Sequence, residues 1–248
     1  MIGLMEWVVP EKGKRSVCIR ERSFLKTRFV GAEMVRGIRT PEQLLRHRVA
    51  LTAKRLRKLG ITRIVPPEEF LWSDTLEKYG IYPIETRILR QELAADWVRW
   101  ALEEREIQPV GARVAVCAEQ LTGEVVRTVT ELVLRHRYVL LDLPHGGEEL
   151  CRRLRREYGV SLLLGPDKGQ LEGAEAVVLF HNRTDLKREN PVVLALYDET
   201  APVPSLFLPS ALEDPLPRGV DRLCLLAALR EAGVIRPGQI TLGAAVQA

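Results

Sequence analysis

The most regular pattern of apolar and polar positions begins after Gly111. Residues 112–118 (ARVAVCA) are apolar almost throughout. Residues 122–136 repeat apolar positions at Val125, Val129, Leu132 and Val133, and 138–143 (YVLLDL) are apolar again. A second helix is predicted over 147–158, ended by Gly159. Strands follow over 160–164 and 174–180, the last reached through a turn at Gly165, Pro166 and Asp167. Runs apolar on both faces, alternating with amphipathic helices, predict a parallel sheet covered on both sides. Right-handed crossovers then make that sheet doubly wound, with Cys117 in a buried strand. Beyond it the pattern predicts strands over 192–197 and 205–208, a helix over 219–232 closed by Gly233, and a last edge strand over 240–246.

The front of the chain is punctuated differently. Residues 5–22 predict two short strands paired around the turn Glu11-Lys12-Gly13-Lys14, and 23–39 carry no clear period. Thr40 is a good N-cap, Pro41 suits the first helical position, and Gln43 completes a capping box. The helix they open shows Leu45, Val49, Leu56 and Leu59 on one face, with Ala53 at its edge and Thr52 interrupting it, until Gly60 closes it. A strand over 61–65, a short helix over 73–79 between Ser73 and Gly80, and a strand over 81–85 come next. Thr86 then caps a long helix to about Arg105, striped by Leu89, Leu93, Trp97 and Trp100 or Ala101. Trp97 reads as core, Trp100 as core or interface. The expected class is α/β: a doubly wound, mainly parallel sheet over 111–248, a smaller α/β lobe over 1–85, and a connecting helix over 86–110.

Composition narrows the classes. Hydrophobic residues are 46% and charged residues 28% of 248, a globular balance. No apolar window reaches the roughly 18 residues of a membrane span, and the amino-terminal apolar stretch is broken by Glu6, so a cytoplasmic protein is expected. The four cysteines form no C-x-x-C pair and the four histidines no H-x-x-x-H pattern, so no metal site is expected. Cys117 and Cys224, in apolar runs, read as buried thiols.

The run ARVAVCAEQLTGEVV followed by YVLLDLP resembles the first strand, loop, helix and second strand of Rossmann-like dinucleotide-binding domains, over roughly residues 111–181. A leading lobe, a connecting helix and then that first strand also resemble small two-domain dehydrogenases of the shikimate dehydrogenase type; the front half is similar as well to uncharacterised bacterial proteins. The resemblance implies a pyrophosphate on the loop after the first strand, an acid on the ribose, and NAD or NADP as cofactor. Of the loop residues Ala118-Glu119-Gln120-Leu121-Thr122-Gly123 only Gly123 fits the glycine pattern, and Glu119 brings a negative charge towards the phosphates. NAD and NADP are therefore not favoured. The residues the resemblance marks are Thr122 and Gly123 at the helix start and Asp142 at the end of the second strand, which also reads as a turn former ahead of Pro144 and Gly146. His145 is the best single polar candidate, because it lies beyond a strand's carboxyl end. No G-x-S-x-G, P-loop or H-E-x-x-H motif occurs, and no catalytic set can be named.

Charge is unevenly spread. Residues 1–60 carry 15 Lys and Arg against 5 Glu, whereas 61–110 carry ten acids against six bases. Arg46, His47, Lys54, Arg57 and Lys58 lie opposite the apolar stripe of the 40–59 helix. They read either as a surface for nucleic acid or as a face solvated or paired with the acidic stretch; the second is favoured, since no base-reading motif accompanies them. The function expected from these observations is a Rossmann-like protein that binds a ligand weakly or not at all and acts through protein partners or self-association. An oxidoreductase with an atypical loop and a nucleic-acid-associated protein are the alternatives.

Overall fold

The computed structural model describes residues 1–11 and 15–243, and divides the chain into two compact units. One comprises Met1–Thr86 with Leu206–Thr241, the other Arg87–Ser205 with Leu242–Ala248.

The first unit is built on β1 (Ile2–Val8), β2 (Val17–Phe24), β3 (Thr27–Val35), α1 (Glu42–Lys58), β4 (Arg63–Val65), α2 (Ser73–Glu77) and β5 (Tyr82–Pro83). Its sheet has the order β2-β3-β1-β4-β5. All neighbours are parallel except β2, which runs antiparallel along β3 at one edge. The hairpin expected over 5–22 is not formed: β1 and β2 do not pair, because β3 lies between them. Residues 12–14 of its supposed turn lie outside the described residues. The hairpin present joins β2 to β3 through Leu25 and Lys26, both at positive φ (48° and 64°). That two-residue geometry is normally signalled by Asn-Gly or Asp-Gly, so the sequence offers no cue to it.

Helix α1 buries Leu45, Val49, Thr52, Ala53 and Leu56 against Met5, Val30, Ala32 and Met34 of the sheet. Its start differs from expectation. Pro41 is the N-cap and no side chain caps the helix; the Thr40 hydroxyl instead accepts from the Gly37 amide at 2.8 Å. Its end is as read: Gly60 sits at φ +76°, its amide donates to Arg57 O and that of Ile61 to Leu56 O, a Schellman closure. Leu59, read as part of the apolar face, is the C-cap and is exposed. Trp72, not Ser73, precedes α2. On the other face of the sheet, Glu6 and Glu33 are register partners. Arg22 crosses Gly31 to donate to both, and Arg20 also pairs with Glu33, which neutralises a carboxylate that is 2% exposed.

The second unit opens with two helices, α3 (Arg87–Glu92) and α4 (Ala94–Glu103), where one long helix was expected; Leu93 interrupts it. Trp97 and Trp100 are half-buried against the core rather than inside it. Ala94, Ala95, Val98, Ala101 and Leu102 fill the buried positions. Then follow β6 (Arg113–Cys117), α5 (Gly123–Arg135), β7 (Tyr138–Asp142), α6 (Gly147–Tyr158), β8 (Leu163–Leu164), α7 (Lys168–Glu172), β9 (Ala176–Leu179) and β10 (Val192–Ala195). The short α7 replaces the simple turn expected there and carries an Asp167/Gln170 capping box. The sheet order is β10-β9-β6-β7-β8, parallel throughout. Relative to β6 as first strand this is the 3-2-1-4-5 order of the doubly wound, Rossmann-like fold. Cys117 is fully buried in the central strand, as expected.

The remaining elements are β11 (Ser205–Phe207), α8 (Ser210–Glu213), α9 (Arg222–Glu231) and β12 (Thr241–Gly243), with β11 and β12 paired as a two-stranded sheet. Residues 244–246 of the expected last strand lie outside the described residues. Within the first unit α9 packs on β4. There the Cys224 thiol donates to Ile84 O, Arg63 donates to Glu231 at 2.7 Å, and Pro67 bridges Val220. These contacts are why 206–241 groups with the first unit rather than with the sheet it follows in sequence. No helix among the described residues is long and apolar enough to cross a membrane.

Candidate functional site

In an open parallel sheet the loops at the carboxyl ends of the strands diverge where the strand order reverses, and ligands bind in that crevice. Here the reversal falls between β6 and β9. A cavity of about 450 Å³ lies at that point. It is lined by Ala118, Glu119, Gln120 and Thr122 after β6, Glu124 and Val125 on α5, Phe180 and His181 after β9, and Arg87, Ile88 and Gln91 on α3. Its ionisable groups are one arginine, two glutamates and one histidine. Arg87 is exposed and makes no ion pair among the described residues. His181 is half-buried, and its Nδ1 is shielded from solvent with no hydrogen-bond partner among those residues.

The four residues marked in the sequence all fall at this edge of the sheet, but they do not converge. Thr122 lines the cavity, and its hydroxyl caps α5 by accepting from the Val125 amide at 3.3 Å. Gly123 is the first residue of α5, with open space where a Cβ would stand. Asp142 ends β7, and its carboxylate is held by Arg183. Arg183 also grips Asp185 with two bonds of 2.8 Å. The Asp185 hydrogen bonds to Arg183 bring its carboxyl down to about 2, and those bonds in turn raise the Arg183 pKa. His145 stands exposed in the loop before α6 and does not line the cavity. Beneath Asp142 the Cys117 thiol is pushed up to about 12, first by burial and then by the Asp142 charge, so it stays protonated and behaves as a small apolar group.

A dinucleotide needs close backbone approach at the loop and an acid free for the ribose. The three positions that glycines occupy in such loops are Ala118, Gln120 and Gly123 here. The Gln120 side chain stands where the pyrophosphate must approach the backbone, Glu119 and Glu124 add negative charge, and the Asp142 carboxylate is already engaged by Arg183. The residues present do not fit the group. Among the described residues no cluster of three or more His, Cys, Asp or Glu could hold a metal ion.

Sequence reading missed His181, Arg87 and Gln91. The available signal for His181 was position alone: it follows the end of a predicted buried strand, as His145 does. Arg183 had no signal, since its partner is 41 residues earlier. Of the basic residues on α1, Arg46 is committed to Asp74 and to the Thr75 hydroxyl, the latter at 3.2 Å. Lys54, Arg57 and Lys58 are exposed and make no ion pair among the described residues.

No protein-family model and no curated protein matches the sequence. Solved structures that it resembles include L-tryptophan dehydrogenase from Nostoc punctiforme, at 13% identity, 62% of this chain, 44% of that one and a TM-score of 0.28. Shikimate 5-dehydrogenase from Listeria monocytogenes, in complex with shikimate and NAD, is similar at 11% identity, 60% and 58% coverage and a TM-score of 0.27. Ornithine carbamoyltransferase from Pyrococcus furiosus is similar at 18% identity, 60% and 50% coverage and a TM-score of 0.26. The chain spans about half the length of these proteins. The Rossmann-like assignment rests on the strand order of the second sheet.

Proposed function

We propose that this protein is a ligand-binding Rossmann-like protein whose crevice between β6 and β9 takes a small polar molecule without a pyrophosphate. The observation that carries this reading is the cavity of about 450 Å³ at the strand-order reversal, with His181 Nδ1 shielded and without a partner among the described residues. The cavity has the size of small-molecule pockets and a few polar groups that can fix a ligand's orientation: Arg87, Gln91, Glu119, Gln120, Glu124 and His181. One guanidinium and two carboxylates in the lining favour a neutral or zwitterionic ligand over a polyanion.

Thermal-shift measurements on the full chain test this, because a ligand of the folded state stabilises it by mass action. A panel of amino acids, hydroxy acids, polyols and small amides is expected to yield at least one stabilising compound, and His181→Ala to remove its effect. NAD and NADP are expected to bind more weakly than about 1 mM by calorimetry. A micromolar dissociation constant for either would overturn the reading and favour the oxidoreductase alternative.

A further inference from the structure

A second cavity, of about 590 Å³, lies between α5 and α6 and shares no lining residue with the crevice. Its apolar part is Leu121, Val126 and Leu150, and its polar part is Glu149, Arg152, Arg153 and Arg156. Helix α6 places these arginines by its period: 156 lies one turn from both 152 and 153, at the i+4 and i+3 spacings that bring side chains together. Among the described residues Arg152 and Arg153 make no ion pair, and Arg156 reaches only Glu157, at 3.9 Å on an exposed stretch. Arg153 is half-buried, and its Nε is shut off from solvent without an acceptor among those residues. A donor nitrogen shut off from water without an acceptor carries a desolvation cost that an acceptor on a ligand would offset.

We propose that this groove is a binding site for a small organic anion: phosphate or carboxylate groups joined to an apolar body. The planar arginine forks match the paired oxygens of phosphate and carboxylate, which they bind in pairs of hydrogen bonds. Leu121, Val126 and Leu150 give the apolar body a floor. Three arginines against Glu149 leave a net charge of +2 in the lining, opposite in sign to the acidic loop after β6. The site is thus distinct in chemistry as well as place from the crevice of the proposed function.

Calorimetry on the full chain at low ionic strength, with AMP, inorganic pyrophosphate and citrate as probes, tests the proposal. At least one probe is expected to bind with a dissociation constant below about 1 mM. Arg153→Gln is expected to weaken it about tenfold, and the Arg152→Gln/Arg156→Gln pair by at least as much. Arg155→Gln is the control: Arg155 is exposed on the same helix but does not line the groove, so affinity should be unchanged. Leu121→Ser should weaken AMP and leave pyrophosphate unaffected, which reads the apolar floor separately. Thermal unfolding of each variant checks that it folds. AMP or pyrophosphate alone would mark a phosphate ligand, and citrate alone a carboxylate ligand. The proposal is overturned if no probe binds at millimolar concentration. It is equally overturned if binding survives Arg153→Gln, or if Arg155→Gln weakens it as much as Arg153→Gln does.

Discussion

Arg90 is 3% exposed on α3, and its guanidinium is spent on backbone carbonyls. It donates to Glu199 O at 2.6 Å, Ala201 O at 2.9 Å and Asp198 O at 3.3 Å, which pins the turn after β10 onto α3. Arg90→Met deletes the cation together with the three hydrogen bonds it donates to these carbonyls. What remains is the cost of three carbonyls that lose a charged partner. Hydrogen bonds to charged groups are each worth about 1.5–3 kcal/mol. Glu199 is exposed and its carbonyl regains water, whereas Asp198 and Ala201 are half-buried. The expected loss is therefore about 2–4 kcal/mol, below the simple sum of three bonds. Arg90→Lys should be no milder, because an ammonium cannot span three carbonyls and would keep a buried charge with fewer acceptors. Urea unfolding followed by circular dichroism measures the loss. Hydrogen exchange across 197–202 reads the turn locally and should show lost protection in both variants. An Arg90→Met protein within about 0.5 kcal/mol of the parent would refute the account, since that is the range of ordinary surface changes.

Asn190 donates from its amide to Leu171 O at 2.9 Å and Ala174 O at 2.8 Å; Asn190→Ala should cost about 1–3 kcal/mol in urea unfolding, the penalty for buried unsatisfied carbonyls. Burial lowers the His136 pKa, outweighing the Pro109 carbonyl that accepts from Nδ1 at 2.6 Å. The unfolded state then binds the extra proton, so stability should fall as pH drops below about 6.5 and level off below the folded-state value. His136→Gln should flatten that slope, and an unchanged slope would assign it to other groups. Gly123 has open space around its missing Cβ, so Gly123→Ala should raise stability by about 0.5–1 kcal/mol, seen as a higher thermal midpoint. Reversing charge at Lys54, Arg57 and Lys58 should change stability by less than about 1 kcal/mol. Duplex DNA should bind the parent feebly even at low salt; low-micromolar, salt-steep binding abolished by that triple reversal in a gel shift would instead establish a nucleic-acid surface.

The second sheet was legible because its strands are buried on both faces. ARVAVCA and YVLLDL are apolar without alternation; the helix after the first opens at the readable cap Thr122, and the helix after the second closes at Gly159. The first sheet was not legible, because its defining contact is the parallel pairing of β1 with β3, 27 residues apart in register. A turn signal at 11–14 therefore pointed to the wrong partner, while the actual turn uses Leu25 and Lys26, which carry no turn signature. Helix α7 was readable in hindsight, since Asp167 and Gln170 are spaced as a capping box. At the crevice the loop after β6 was read correctly as poor in glycine. The capture of Asp142 by Arg183 depends on two loops meeting in space, and no local pattern reports that.

The return of Leu206–Thr241 to the first unit sets an order on biosynthesis. A ribosome delivers Met1–Thr86 first, then the whole contiguous body of the second unit, and only afterwards the segment that carries α9. At about 5–20 residues per second that interval is on the order of ten seconds. Throughout it β4 lacks its helix and Ile84 lacks the Cys224 thiol, and only at its end does the later-made parallel sheet have its last strand. The unit translated first is thus the one completed last, and a chain ending near residue 205 would hold the strands of both five-stranded sheets but not the helix that packs on β4.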